Sequence, residues 1–280
     1  MKAIIESGAT KSVWALIEGS ELLRTHSSGG MNLSAGEMVH IKSTIASSIK
    51  ELSITTLEGM YIYTAGVITQ SIRSELENHI KGLVPVGEIE IHDDLFGAAR
   101  ALFHRKEGIA AILGTGSNSC FYDGHTIERK VYSGGYIIGD DGSAAALGRT
   151  FLSDFIKGES SSTLAGEFSS QFDSSYGAIV EEVYHSPAPS KYLGSIAPLI
   201  VRHYHDDKYA QSIVDENFLR FIRRSLQKYD TKRFRVGIAG GFGVACREIF
   251  SKLALKEGII IHDFCKDPIE GLISYHTEKL

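Results

Sequence analysis

Residues 6–14 read ESGATKSVW, and residues 114–122 read GTGSNSCFY. Each stretch leaves a short apolar segment, passes through a turn of small and hydroxylated residues, and enters a second apolar segment. Ser7-Gly8-Ala9-Thr10 aligns with Thr115-Gly116-Ser117-Asn118 at an offset of 108 residues. Because the same kind of turn recurs between two predicted strands, the sequence predicts a duplicated fold with two lobes.

The elements around the two turns support this duplication. Alternating apolar patterns predict strands over 2–5, 12–17 and 21–26, followed by the order helix, strand, helix, strand, helix. Three strands then recur over 109–113, 118–122 and 126–132, and helices dominate from 142 to about 229. We expect an α/β fold with a first lobe over 1–105 and a larger second lobe over 106–280. The second lobe carries a helical insertion, and its last helix can pack back on the first lobe.

Composition excludes several classes of function. The chain has 280 residues, is 43% apolar and 22% charged, and carries a formal net charge of -5, which gives no electrostatic reason to expect nucleic acid or an anionic membrane. No run of about 18 apolar residues predicts a spanning helix. The three cysteines, Cys120, Cys246 and Cys265, lie far apart and show no zinc-binding spacing. These features predict a reduced, cytoplasmic protein.

The first turn has the residues of a phosphate site without a familiar phosphate motif. Thr10 precedes Lys11 where a Walker loop needs glycine, and the next segment is a strand instead of a helix. No GxGxxG opens a helix here either. A hairpin turn whose backbone N–H groups and hydroxyls face a phosphate is one interpretation, and an ordinary hairpin turn is the other. Two such turns at corresponding places favour a phosphate clamp between lobes.

Three further glycine-rich segments suggest ligand contacts. In GIAGGFG (237–243), Gly240 and Gly241 leave a bare backbone that an anion or a flat ring can approach. In GGYIIGDDGS (134–143), Asp140 can contact ligand hydroxyls, while Asp141 or Ser143 can cap the following helix. In GGMNLS (29–34), the Asn32 amide can both donate and accept, which suits a sugar hydroxyl or an acetamide group.

The segment IHDDLFGAAR (91–100) offers a general base. Asp93 and Asp94 stand where a strand ends and a helix begins, so one of them can be the N-cap and the other can accept a proton from an alcohol. Phosphoryl transfer requires such a base, a phosphate cradle and Mg²⁺.

Together these segments resemble the superfamily of acetate and sugar kinases, heat-shock proteins and actin. The nearest likeness is to the N-acetylglucosamine kinase group of the BadF/BadG/BcrA/BcrD-type ATPase family. The segments occur in the family's order and span the whole chain. The resemblance implies two ribonuclease-H-like lobes of the actin-like ATPase type, with ATP, Mg²⁺ and an amino sugar in the cleft between them. It also suggests a homodimer.

The resemblance implies a role for individual residues. Asp94 matches the base that accepts the proton of the sugar hydroxyl, and Glu6 takes the place of an aspartate that is linked to Mg²⁺ through water. The residues that match sugar-contacting positions are Asn32, Asn118, Tyr136 and Asp140. Those in the two phosphate loops are Ser7, Gly8, Thr10, Lys11, Thr115 and Gly116. The residues that meet adenosine in the family are Gly240 and Gly241.

Three functions stay open, and two departures from the family pattern are the reason to keep a non-catalytic one among them. Glu6 replaces an aspartate and Asp141 replaces a glutamate, so both charges are kept while the reach of each carboxylate changes. The leading hypothesis is an ATP-dependent kinase that phosphorylates the 6-hydroxyl of N-acetylglucosamine or a related amino sugar. The alternatives are a nucleotide-driven activator of a reductase or dehydratase with an iron–sulfur cluster, and a non-catalytic sugar or nucleotide sensor on the same fold.

Overall fold

A computed structural model gives the architecture of the chain and describes residues 1–8, 11–33, 38–66 and 69–278. The chain divides into two compact units. Unit 1 comprises Met1–Lys106, Asp123–Ile127 and Asp267–Leu280, and unit 2 comprises Glu107–Tyr122 and Glu128–Lys266. The C-terminal segment therefore belongs to the same unit as the N-terminus.

The strands and helices are numbered in chain order. The strands are β1 (Lys2–Ser7), β2 (Lys11–Glu18), β3 (Glu21–Gly29), β4 (Leu57–Thr64), β5 (Val86–Asp93), β6 (Gly108–Leu113), β7 (Ser117–Tyr122), β8 (Ile127–Val131), β9 (Val236–Ala239) and β10 (Ile261–Cys265). The helices are α1 (Met38–Glu51), α2 (Gln70–Leu83), α3 (Asp94–Phe103), α4 (Gly135–Ile138), α5 (Ala144–Lys157), α6 (Ser162–Gln171), α7 (Tyr176–Val180), α8 (Pro189–Arg202), α9 (Lys208–Arg224), α10 (Gly241–Ala245), α11 (Arg247–Lys256) and α12 (Ile269–Thr277). Short π-helical and 3₁₀ turns cover Glu181–His185 and Leu226–Lys228.

The sheet of unit 1 has the strand order β3-β2-β1-β4-β5. β1 and β2 pair antiparallel, as do β2 and β3, whereas β1, β4 and β5 run parallel. Parallel neighbours need long crossovers, which α1 and α2 provide. Because β1, β4 and β5 point the same way, their carboxyl ends meet at one edge of the sheet.

The sheet of unit 2 repeats this order as β8-β7-β6-β9-β10. β6 pairs antiparallel with β7 and parallel with β9, and β9 pairs parallel with β10. The segment between β8 and β9 contains helices α4 to α9. The two sheets therefore have the same strand order.

Apolar side chains cover both faces of the unit 1 sheet. One cluster contains Trp14, Ile41, Met60, Leu76 and related residues under α1 and α2. The other contains Ile4, Tyr61 and Tyr63 from the strands and Leu272 from α12. Strand residues thus alternate between two cores, as the period of a strand requires.

Helix α12 is held on unit 1 by a close approach and by a buried polar network. A side chain at Gly271 would collide with the Ala101 backbone of α3. Tyr63 Oη lies 2.8 Å from His276 Nε2 and accepts a 2.6 Å hydrogen bond from Arg100 Nη1. The His276 ring also packs on Tyr61, with ring centroids 4.0 Å apart. α12 and α3 are therefore fixed against the same strand, β4.

The last strand differs from the sequence pattern GIIIHD (258–263), which predicts a strand from Gly258 onwards. Gly258 has a φ of +79° and lies just beyond α11, and the Ile259 N–H donates to the Ala254 carbonyl. A left-handed glycine at this position ends a helix. Residues 258–260 therefore close α11, and β10 begins at Ile261.

No helix in the described ranges of the chain is both long enough and apolar enough to cross a membrane.

The half-buried His276 gives a prediction about the pH dependence of stability. Burial, followed by the positive charge of Arg100, lowers the pKa of His276 from 6.5 to about 3. Below pH 6.5, His276 therefore binds a proton in the unfolded chain, whereas in the folded chain it stays neutral down to about pH 3. The free energy of unfolding is therefore largest above pH 6.5. It decreases as the pH is lowered from 6.5 to about 3, by at most about 1.4 kcal/mol per pH unit.

On going from pH 7 to pH 5, we expect the free energy of unfolding to decrease more in the parent than in His276→Gln. The two decreases should differ by on the order of 1–2 kcal/mol. Urea unfolding at each pH measures this difference. The matched control is His40→Gln, at an exposed position on α1, which should keep the parent's pH dependence. Equal slopes for the parent and His276→Gln would contradict the assignment.

Candidate active site

The first predicted phosphate turn joins β1 to β2. The Gly8 N–H donates to the Lys11 carbonyl across the turn at 3.1 Å, and the Lys11 side chain is exposed. The Ser7 hydroxyl is fully buried and faces Ser12 and Met31. A contact between Ser7 and phosphate would therefore have to come from its main chain. Thr10, the remaining predicted residue of this turn, lies outside the described residues.

Glu6 stands at the carboxyl end of β1 among other carboxylates. Its pKa is raised to about 7, first by burial and then by the negative charges of Asp94 and Asp267, while Lys11 opposes the shift. Asp94 and Asp267 are thus both close enough to Glu6 in unit 1 to repel its charge. Such a group of carboxylates is stabilised by a cation.

The structure separates the roles of the two neighbouring aspartates. The Asp93 carboxylate accepts a 2.8 Å hydrogen bond from the Phe96 N–H and caps α3. Asp94 is the first residue of α3 and is half-buried. Register pairs Asp93 with Thr64, and Thr64 with Ser7, so Asp94 follows directly on the sheet edge. Asp94 is therefore the better placed of the two to act on a ligand at that edge.

The acidic group fits an indirect magnesium site better than a direct one. No set of three His, Cys, Asp or Glu side chains in the part of the chain that the structure describes is placed to hold a metal ion by itself. Mg²⁺ usually keeps several waters and takes one or two protein carboxylates together with substrate phosphates. Glu6, with Asp94 and Asp267 near it, suits that kind of binding because all of these donors are hard oxygen ligands.

The loop that carries Asn32 is attached to the same sheet edge. Asn32 is half-buried and forms a parallel bridge with Ala65, just beyond β4. The Leu33 N–H donates to the Ala65 carbonyl at 3.0 Å, and the Ala65 N–H donates to the Ser7 carbonyl at 2.9 Å. Asn32 is thereby tied through the backbone to the end of β1, where Glu6 lies.

The second predicted phosphate turn lies in unit 2 between β6 and β7. The Gly114 N–H donates to the Gly116 carbonyl at 2.9 Å, which closes the turn. The first two N–H groups of α5 also bind this turn. The Ala144 N–H donates to the Gly114 carbonyl, and the Ala145 N–H donates to the Thr115 carbonyl. The α5 N-terminus therefore fixes the backbone of Thr115 and Gly116.

Asp140 is joined to this turn. Its side chain is 8% exposed, and one of its carboxylate oxygens accepts a 3.3 Å hydrogen bond from the Ser117 N–H. A Cβ at Gly116 would lie 3.0 Å from the other oxygen. Asp140 also has a φ of +53°, an unusual backbone conformation for an aspartate. Burial is the main cause that raises its pKa.

The structure also decides between the alternative caps of α5. Ser143 is the N-cap and accepts from the Ala146 N–H at 3.1 Å. Asp141 instead pairs with Arg224 of α9 at 2.7 Å. Asn217 of α9 accepts from the Gly142 N–H and donates to the Ser143 carbonyl, each at 3.1 Å. Helix α9 thus holds the turn that presents Asp140.

Gly240 lies at the same edge of the unit 2 sheet as the second turn. Its φ is +110°, and a Cβ there would lie 2.6 Å from the Leu113 carbonyl oxygen and 3.4 Å from the Gly114 nitrogen. Its N–H donates to the Cys265 carbonyl at 2.8 Å. The backbone of Gly240 therefore packs directly on the start of the phosphate turn, and Gly241 follows as the first residue of α10.

Asn118 borders a small cavity in unit 2. The cavity has a volume of about 190 Å³, and its lining includes Ser117, Asn118, Ser133, Gly139, Asp141 and Arg224. Tyr136 is half-buried, and its carbonyl accepts a hydrogen bond from Arg149. A larger open depression of about 480 Å³ along α9 involves none of the predicted site residues.

Comparison with known proteins places this arrangement in a family. A crystal structure from Porphyromonas gingivalis, provisionally named an N-acetylglucosamine kinase, is 33% identical, covers 99% of each chain and superposes with a TM-score of 0.91. The chain belongs to the N-acetylglucosamine kinase family. The predicted α/β fold of the actin-like ATPase type is confirmed.

More distant relatives agree with this placement. A curated N-acetylmuramic acid/N-acetylglucosamine kinase from Clostridium acetobutylicum is 26% identical over 189 residues, a match that spans 63% of this chain and 61% of that protein. A structure from Chromobacterium violaceum, also provisionally named an N-acetylglucosamine kinase, is 18% identical, covers 98% of each chain and has a TM-score of 0.78, which shows the fold alone. No family model matches the chain.

Several residues of this N-acetylglucosamine kinase family member escaped the sequence analysis. Asp267 lies just before α12, far along the chain from Glu6, and only the fold brings the two together. Asn217 and Arg224 lie on α9 among ordinary polar residues of a helix face. Thr64 and Ser12 lie at strand ends, where a hydroxyl is unremarkable. A signal was present only for Asp267, in an Asp-Pro pair that opens a helix.

The two adjacent glycines of the predicted adenosine segment make a matched pair of predictions. Gly240→Ala puts a side chain on a residue with positive φ and against the Leu113 backbone, so we expect the free energy of unfolding to fall by about 2–4 kcal/mol. A side chain at Gly241 meets nothing within 4 Å, so Gly241→Ala should stay within about 0.5 kcal/mol of the parent. Urea unfolding measures both, and equal stabilities would contradict the close packing at Gly240.

Proposed function

We propose that this chain is an ATP- and Mg²⁺-dependent kinase that transfers a phosphoryl group to the 6-hydroxyl of N-acetylglucosamine or a related amino sugar. The observation that carries the proposal is the position of Asp94 near Glu6 at the edge of the unit 1 sheet, next to the loop of Asn32. Ligands of α/β sheets bind outside the carboxyl ends of the strands, and the family of the chain supports a phosphotransferase.

Each residue has a specific task in the proposed reaction. Asp94 accepts the proton of the attacking sugar hydroxyl and orients it. Asn32, Asn118, Tyr136 and Asp140 bind the sugar through hydrogen bonds. Phosphate contacts come from the two turns, including Gly8, Lys11, Thr115 and Gly116, and Gly240 and Gly241 give the adenosine a bare backbone.

Magnesium belongs to the proposal through Glu6. Glu6 would hold the ion through water, with Asp94 and Asp267 adding negative charge nearby. When bound, Mg²⁺ neutralises charge that develops on the transferring phosphate. We also propose that the chain belongs to the BadF/BadG/BcrA/BcrD-type family, that it forms a homodimer and that it is located in the cytoplasm.

The two alternative functions differ in what the structure offers them. An activator with an iron–sulfur cluster needs cysteines that reach the cluster. Cys120 and Cys246 are only 0% and 1% exposed, so neither presents its thiol at the surface of the chain. A sensor without catalysis would keep sugar binding and lose phosphate transfer, which the assays below separate from a kinase.

A substrate panel tests the proposed reaction. Purified protein is incubated with ATP, with and without Mg²⁺, and with N-acetylglucosamine, glucosamine, N-acetylmannosamine, N-acetylmuramic acid or glucose. We expect Mg²⁺-dependent ATP consumption with at least one N-acetylated amino sugar, and two-dimensional ³¹P–¹H NMR of the product should place the phosphate on O6. Sugar binding by calorimetry without any phosphorylated product would favour the sensor instead.

Asp94→Asn tests the base. The amide keeps the size of the side chain and cannot accept the proton, so we expect turnover of the best sugar to fall by about 10²–10⁴-fold. The matched control is Asp93→Asn, because asparagine caps a helix as well as aspartate does. That variant should keep turnover within about threefold. If Asp94→Asn also stays within a few-fold of the parent, the assignment of the base is wrong.

A further inference from the structure

Three buried hydroxyl groups converge on the loop that carries Asn32. The side chains of Ser7 and Ser12 have 0% exposure and that of Thr64 has 1%. They lie at the ends of β1, β2 and β4, and register aligns them: Ser12 pairs with Ser7, and Ser7 pairs with Thr64. We call this row the hydroxyl clamp. Asp93, the neighbour of the proposed base, continues the same row on β5.

The hydroxyl clamp holds one residue of the loop, Met31, through both its main-chain N–H and its main-chain carbonyl. The Met31 N–H donates to Ser7 Oγ at 2.7 Å, and the Thr64 hydroxyl donates to the Met31 carbonyl oxygen at 2.7 Å. Ser12 Oγ lies 2.8 Å from the Gly29 carbonyl oxygen, to which it donates, and 2.6 Å from Ser7 Oγ. Asn32 follows directly on the clamped residue.

Sheet formation alone does not require hydroxyls at these positions. Strand interiors of this unit are filled by apolar side chains such as Ile5, Trp14 and Ile62, all at most 1% exposed. A buried hydroxyl costs free energy unless it is hydrogen-bonded, and these three find partners in each other or in the main chain of residues 29–31. The hydrogen bonds to the loop therefore offset the free energy of burying the three hydroxyls. The conformation of the loop is in this way coupled to the strand ends.

We propose that Ser7, Ser12 and Thr64 are positioning residues that set the affinity for the acceptor sugar by fixing the backbone on which Asn32 stands. The proposal rests on the proposed function, because it takes Asn32 as a sugar contact. It goes further by assigning sugar affinity to residues that need not touch the sugar. Since Ser7 also belongs to the first phosphate turn, the sugar loop and that turn share one support.

Thr64→Val is the decisive variant. Valine has nearly the shape of threonine but leaves the Met31 carbonyl without its 2.7 Å donor, and Ser7 Oγ at 3.4 Å lies too far to replace it well. We expect the KM for the sugar to rise about 5- to 20-fold. The kcat and the KM for ATP should change less than about twofold. Thr64→Ser keeps the hydroxyl and should restore the KM for the sugar.

The matched control is Thr44→Val on α1 of the same unit. Thr44 is also buried, at 9% exposure, and its hydroxyl donates to the His40 carbonyl at 3.0 Å, away from the clamp. Thr44→Val removes a buried hydroxyl of the same kind from a helix outside the clamp and should leave the KM for the sugar unchanged. An equal rise in Thr44→Val, or no rescue by Thr64→Ser, would overturn the proposal.

Hydrogen exchange separates a failure of this proposal from a failure of the proposed function. In the parent, the Met31 N–H donates to Ser7 Oγ, so the proteolytic fragment that contains Met31 should exchange its amide hydrogens slowly. Exchange in this fragment should be faster in Thr64→Val and unchanged in Thr44→Val. Unchanged exchange overturns the clamp whatever the enzyme does. If the parent phosphorylates no sugar while the exchange pattern holds, the proposed function fails and with it the role in sugar affinity.

Discussion

Parallel pairing of β1, β4 and β5 is the constraint on which the site of unit 1 depends. It brings three strand ends to one edge and fixes them in register, with Ser7 beside Thr64 and Thr64 beside Asp93. Glu6, Asp94 and the loop of Asn32 then follow within a residue or two of that row. A shift of register by a single residue would turn the side chains of the shifted strand to the other face of the sheet and displace the segments that follow it.

Unit 2 applies the same constraint to a different set of residues. β6 and β9 run parallel, so the Gly114–Asn118 turn and Gly240 emerge at one edge, where Gly240 packs on the Leu113 carbonyl. The N-terminus of α5 and the Asn217 amide then hold the turn and the Asp140 segment in place. Each unit thus has a glycine turn after the corresponding strand of its sheet, with different residues around it.

Sequence reasoning succeeded where a local pattern had a direct structural meaning. The two glycine turns, the order of strands and helices along the chain and the aspartates at the end of β5 could all be predicted, because strand periodicity and turn chemistry act over a few residues. It could not decide which of Asp93 and Asp94 caps α3, since both fit that position equally well. Nor could it foresee that the Ser7 hydroxyl is buried against Met31, or that Asp267 approaches Glu6, because these contacts join residues more than twenty positions apart.

Glu6 is the point at which the fold and the proposed chemistry depend on each other most closely. Burial and two neighbouring aspartates disfavour its charge, and a bound divalent cation would reverse that penalty. The most direct test is a Mg²⁺ titration of ATP-dependent sugar phosphorylation by the parent, Glu6→Asp and Glu6→Gln. The account predicts that Glu6→Asp stays active, whereas Glu6→Gln needs at least about tenfold more Mg²⁺ for half-maximal rate. An identical Mg²⁺ dependence in the parent and Glu6→Gln would contradict it.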